Sequence, residues 1–112
     1  MKRGEIWWAS PPTPRGSEPG YRRPILVVQA DAFNRSKINT VIGAAITSNL
    51  GVATAPGNLL LRTRASGLRK DSVVHVSQLV TLDKRFLIGK VKTLDPRTMR
   101  QIDDGLRLVL EL

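Results

Sequence analysis

The chain has 112 residues, no cysteine and one histidine, which excludes a disulfide framework, a thiolate metal site and a histidine-rich one. Lys and Arg number 18 against 9 Asp and Glu, a formal charge of +9, and such an excess favours a polyanionic partner, either nucleic acid or an acidic protein. No apolar run reaches the length of a membrane span, and the start, "MKRGEIWW", lacks a signal-peptide core, so one cytoplasmic domain over 1–112 with no membrane association is expected.

In chain order, "GEIWWAS" (4–10) reads as a strand with Ile6 and Trp8 on one face and Glu5 and Trp7 on the other. Residues 10–22, "SPPTPRGSEPGYR", hold too many prolines and glycines for regular structure, and a long loop in a small domain points to function. "PILVVQ" (24–29) is continuously apolar and β-branched, as a central strand buried on both faces should be. Asp31 is placed to cap a short helical turn through "AFNRS". "INTVIGAAITS" (38–48) predicts a third strand, with Ile42, Ala44 and Ile46 on one face and Gly43, Ala45 and Thr47 on the other. After the loop 49–57, "NLLLR" (58–62) is a short strand. "DSVVHVSQLV" (71–80) is a longer one, with Val74 and Val76 inward and Val73, His75 and Ser77 opposite. "FLIGKVK" (86–92) is a weak strand or turn. The period then changes: Asp95 is a good N-cap, Pro96 suits the first helical position, and Met99, Ile102, Leu106 and Val109/Leu110 form a helical stripe. The fold class expected is mainly β, a small antiparallel barrel with a C-terminal helix.

Walker loops, G-x-S-x-G and H-E-x-x-H are all missing from the sequence. What remains is scattered: Glu18, Arg22 and Arg23 around the first loop, Thr47 and Ser48 at a strand end, His75 and Ser77 on another strand. Arginine with hydroxyls and one acid–base group suits chemistry at a phosphate, because a planar guanidinium holds two phosphate oxygens and offsets their developing charge. RNA brings its own nucleophile, the 2′-OH. Each residue also has a plain reading: Arg23 as a solvated strand flank, Thr47 and Ser48 as strand-end hydroxyls, Glu18 as a loop ion pair, and His75 as a surface or interface residue. Trp7 and Trp8 suit core and dimer contact better than a stacking platform, since so few aromatics argue against an aromatic RNA-binding sheet.

The segments "KRGEIWW", "GSEPGYRRPILVVQ", "DAFNR", "AAITS", "DSVVHVSQ" and "TLDKR" stand in the order and spacing of the MazF/PemK (Kid) toxins, which the chain resembles over residues 2 to 92 by motif and through the last helix by pattern. The resemblance implies an SH3-like or CcdB-like barrel and a homodimer. It also implies a toxin that cuts single-stranded mRNA without metal or cofactor, leaving a 2′,3′-cyclic phosphate and a 5′-OH, and that is held in check by a MazE-like antitoxin. The catalytic arginine of the family's G-x-R-P segment falls on Arg23, the loop glutamate on Glu18, and the threonine closing the third strand on Thr47, with Ser48 beside it. Arg22, Ser48, Ser77, Gln78 and Arg15 are the RNA contacts expected, and His75 joins the catalytic set as proton shuttle. The chain departs from the family just before the glutamine of "HVSQ": where an acid often stands it has Ser77, and where the Kid branch has arginine it has His75. Serine cannot act as a carboxylate base, so the acid–base assignment of that branch does not transfer. Two other readings are a CcdB-like gyrase poison, disfavoured by the tail "LVLEL" in place of Trp-Gly-Ile, and a non-catalytic basic RNA-binding domain.

Overall fold

The computed structural model describes residues 1–10 and 22–112. Strands β1 (Glu5–Ala9), β2 (Arg23–Val27), β3 (Thr40–Thr47), β4 (Leu59–Leu61), β5 (Ser72–Asp83) and β6 (Leu87–Thr93) form one sheet in the order β4-β5-β3-β2-β1-β6, with every pairing antiparallel. The helices are α1 (Asp31–Asn34), α2 (Thr63–Ser66) and α3 (Pro96–Leu110). The expected mainly β fold with a C-terminal helix is therefore what the chain adopts. The strands curl into a half-barrel in which β4 and β6 stay edges, and α2 packs between them, with Lys92 Nζ of β6 donating to the Arg64 carbonyl. Among the described residues no helix is long and apolar enough to cross a membrane.

The apolar run of β2 lies in the middle of the sheet, between β1 and β3, with Ile25, Leu26 and Val27 all buried. Side chains of one sheet face, Ile6, Leu26, Ala44, Ile46, Val74 and Val76, meet Ile102 and Leu106 of α3 in a single core. Helix α3 begins as its sequence requires: the Asp95 carboxylate accepts from the Thr98 amide at 2.7 Å and Pro96 occupies the first turn. Its apolar stripe outlasts the sheet beneath it, so Val109 and Leu110 are exposed rather than buried.

Several local expectations change. Asp31 does not cap α1; it is the first helical residue, and its carboxylate accepts from the Arg3 amide at 2.7 Å and from Asn34 Nδ2 at 3.1 Å. Strand β5 runs on to Asp83 because its mixed-polarity end pairs with the first half of β3, Ile42 opposite Thr81 and Thr40 opposite Asp83. Strand β6 is a full strand, paired with β1 through two irregularities that the sequence pattern blurs. Val73, on the face away from the core cluster that holds Val74 and Val76, is nonetheless fully buried, paired with Thr47 of β3 and Leu60 of β4.

The largest irregularity is in β5. Ala44 pairs with Leu79 but the next residue, Ala45, pairs with His75, so Val76, Ser77 and Gln78 form a three-residue excursion. The Val76 amide, displaced from the ladder, donates to Asn58 Oδ1 at 3.0 Å, while Asn58 Nδ2 donates to the Val52 carbonyl at 2.9 Å. One asparagine thus holds the bulge against the 3₁₀ turn at Leu50–Val52.

Candidate functional site

The β2–β3 ladder ends at Ile25 opposite Ala45, and Arg23 and Thr47 each lie two residues beyond that last pair. Arg23 is the first residue of β2 and Thr47 the last of β3, so a charged and a polar side chain flank the apolar runs where the strands meet solvent. Two hollows meet there. One, about 510 Å³, is walled by Arg22, Arg23, Thr47, Ser48, Arg69 and Lys70. Its floor is apolar, from Trp8, Pro24, Ile46, Leu68 and Val91. The other, about 330 Å³, contains Arg23, Thr47, His75 and Gln78 above Ile25, Ala45 and Val80. Arg23 and Thr47 line both and form the rim between them.

Each group is positioned by its neighbours. Thr47 Oγ1 accepts from the Asn49 amide at 3.1 Å, which fixes the hydroxyl oxygen; among the described residues its proton has no acceptor, so it can be donated into the hollows. His75 is half-buried as the register partner of Ala45, two residues along the strand from Val73, the partner of Thr47. The Arg22 guanidinium lies 4.7 Å over the Trp8 ring, while Trp8 packs against the core. Arg22 is therefore anchored to a rigid aromatic plane rather than free in solvent.

The electrostatics are one-sided. Among the described residues no carboxylate lines either hollow, and no three His, Asp or Glu side chains converge as a metal-ligand set. Acids nearby are engaged elsewhere: Asp71 accepts from Arg62 at 3.0 Å and from the Thr63 amide at 3.1 Å. Glu5, on the far part of β1, is buried, which raises its pKa, but donors on Trp7, Lys2 and Lys90 outweigh that and leave it below the ordinary glutamate value. A phosphodiester is the kind of group such a basic rim accommodates, with a guanidinium and a hydroxyl converging on it.

Of the residues expected from sequence, Arg22, Arg23, Thr47, Ser48, His75 and Gln78 are brought together around the rim. Ser77 is not. The bulge leaves it exposed and lining neither hollow, so strict alternation from His75 fails, and Gln78, also exposed, lines the smaller hollow instead. Glu18 and Arg15 lie outside the described residues. Sequence reasoning passed over Arg69 and Lys70; the only signal was the basic run "RTRASGLRK", which carries no periodicity and resembles any solvated loop.

Comparison with known proteins bears on the family and the fold. Residues 2–110 match the family described as PemK-like, MazF-like toxin of type II toxin-antitoxin system. Over all 112 residues the chain is 46% identical to Endoribonuclease MazF6 of Mycobacterium tuberculosis, covering 98% of that protein. It is 37% identical to Endoribonuclease EndoA of Bacillus subtilis, covering 96% of it. Among solved structures, a MazE–MazF crystal structure from Deinococcus radiodurans superposes with a TM-score of 0.80 at 20% identity, covering 100% of this chain and 96% of that one.

Proposed function

The chain belongs to the PemK-like, MazF-like toxin family, and from that premise we propose that it is an endoribonuclease that cuts single-stranded RNA at the rim between Arg23 and Thr47. The observation that carries this reading is the rim that Arg23 and Thr47 form between the two hollows, with His75 in the lining of the smaller one. The scissile phosphate sits between the guanidinium and the Thr47 hydroxyl. The substrate's 2′-oxygen attacks phosphorus, the P–O5′ bond breaks, and the products are a 2′,3′-cyclic phosphate and a 5′-OH. One proton leaves the 2′-OH and one reaches the 5′-oxygen. His75 exchanges one of them, and Glu18 is the candidate for the other. Arg23 offsets the charge that accumulates on the phosphorane oxygens.

The whole protein then acts in the cytoplasm as the toxin of a toxin–antitoxin module, a homodimer inhibited by an acidic, MazE-like antitoxin. The formal charge of +9 supports both an RNA substrate and an acidic inhibitor. The test is cleavage of a single-stranded RNA in excess EDTA, with the new ends mapped. Cutting that leaves 5′-OH ends, and that stops when the nucleotide 5′ to the cut is 2′-deoxy, is the expected result. RNA bound but left intact, or strict dependence on a divalent cation, overturns the proposal.

A further inference from the structure

We infer that the larger hollow, walled by Arg22, Arg69 and Lys70, is a second RNA subsite that holds a phosphate flanking the scissile one. The inference rests on the ribonuclease reading above and adds the path the substrate takes away from the cut. His75 and Gln78 lie in the smaller hollow; Arg69 and Lys70 lie in the larger, and among the described residues the two share Arg23, Pro24, Ile46 and Thr47. A strand held by its phosphate at the rim therefore has one neighbouring nucleotide in each hollow.

The chemistry of the larger hollow favours a phosphate. Among the described residues five ion pairs form, and none includes Arg22, Arg69 or Lys70. The nearest acid in sequence, Asp71, is turned away and held by Arg62 and the Thr63 amide. Two exposed cations thus face a cavity that no described carboxylate lines, on a loop that is braced at both ends. Helix α2 stops at Gly67, whose φ of 75° is the left-handed conformation a glycine adopts most easily. Ser66 Oγ then accepts from the Leu68 amide at 3.0 Å, Leu68 is buried in the core, and Ser72 Oγ donates to the Lys70 carbonyl at 3.0 Å. Arg69 and Lys70 project from a stretch whose backbone is fixed, so they meet a phosphate with little ordering still to be done. Arg22, stacked on Trp8, supplies the opposite wall. RNA is the occupant the geometry favours because this hollow shares its rim with the cutting site, so a chain held by its scissile phosphate at the rim continues into it.

The test is the Arg69→Ala/Lys70→Ala double variant, both side chains being exposed and outside the core. With an RNA extending several nucleotides either side of the cut, KM should rise about tenfold or more while kcat stays within about twofold. The slope of log affinity against log salt should fall by about 0.7 for each phosphate that the variant no longer neutralises. A second arm places a neutral methylphosphonate at each non-scissile position in turn. Wild type should bind more weakly when one or two positions are neutralised, and the double variant should be indifferent at those same positions. Unchanged KM and salt slope, or equal sensitivity of both proteins to every methylphosphonate, overturns the inference while leaving the cutting site intact. It is equally overturned if the variant cuts RNA normally but resists inhibition by an acidic antitoxin peptide, which would assign the hollow to that peptide. Failure of the ribonuclease reading is a separate result, a wild-type protein that cuts no RNA.

Discussion

Arg22 and Arg23 are adjacent and chemically identical, yet the fold gives them different work. Arg23 is the first residue of β2, paired with Ala9 of β1, and it shares the lining of both hollows with Thr47. Arg22 is held through its side chain, over Trp8. Replacing Arg23 by alanine should lower the single-turnover cleavage rate about 100- to 1,000-fold with the circular dichroism spectrum unchanged, because the substitution removes a preorganised charge and leaves the core packing as it was. Arg22→Ala should weaken RNA binding only a few-fold. His75→Gln completes the series: a fall of about 100-fold with a changed pH–rate profile identifies a proton-transfer group, and retention of rate and profile removes His75 from the chemistry. An Arg23→Ala protein that cuts within a few-fold of wild type contradicts the site as assigned.

At the scale of elements, the site depends on how the 49–58 loop, the β5 bulge and α3 lock together. Asn58 satisfies the bulge amide, and the preceding Gly57, at φ 85°, lies against Val76 of the bulge and against Gly105 of α3. A Cβ on Gly105 would overlap the Gly57 carbonyl oxygen, a backbone atom that no rotamer change can move. Gly105→Ala should therefore cost about 1–3 kcal/mol despite alanine's higher helix propensity, because the gain of about 1 kcal/mol from leaving glycine is smaller than the overlap. Chemical denaturation checks the sign. A neutral or stabilising result would mean that helix and loop part easily, and that the bulge is not braced from behind. Nothing in the local sequence marks Gly105 as a contact: in "DDGLRL" it reads as a weak point in a helix.

For the whole molecule, charge sets both partner choice and acid sensitivity. Glu5, Asp31 and Asp95 all have pKa values below their ordinary ones. Burial opposes the shift at Glu5 but is outweighed by Trp7, Lys2 and Lys90; the Arg3 amide and Asn34 lower Asp31; and the Thr98 amide and hydroxyl lower Asp95. A carboxyl with a depressed folded pKa binds fewer protons in the native state than in the unfolded one. Its contribution is fully present above the ordinary carboxylate range and is lost as pH falls through the folded value. Thermal stability should thus be nearly flat from about pH 5 to 8 and drop steeply below about pH 4, where neutralised carboxylates also leave the excess of Lys and Arg unopposed. Glu5→Gln should flatten that acid limb by removing the ion pair with Lys90, 3.1 Å long in the folded protein. An acid limb identical in the two proteins would place the acid-labile contacts elsewhere.

The sequence by itself determined what depends on neighbours along the chain. The apolar run at 24–27 is a buried central strand, Asp95–Pro96 starts the last helix, and Arg23 and Thr47 stand at strand ends because polarity changes there. The family motifs carried the same two residues to the same rim. Only the tertiary structure decided that Gln78 and not Ser77 joins His75, that Val73 is buried, and that Arg69 and Lys70 face Arg22. Alternation along a strand encodes which side chains share a face only while the ladder stays in register. The three-residue excursion in β5 is held by Asn58, 18 positions upstream, and that contact exists only once the loop has folded back. Likewise α2 comes to lie between β4 and β6 because the curled sheet leaves a gap there, and it carries the basic loop to the rim. Which cations share a cavity is a property of chain closure in space, and no local pattern of charge records it.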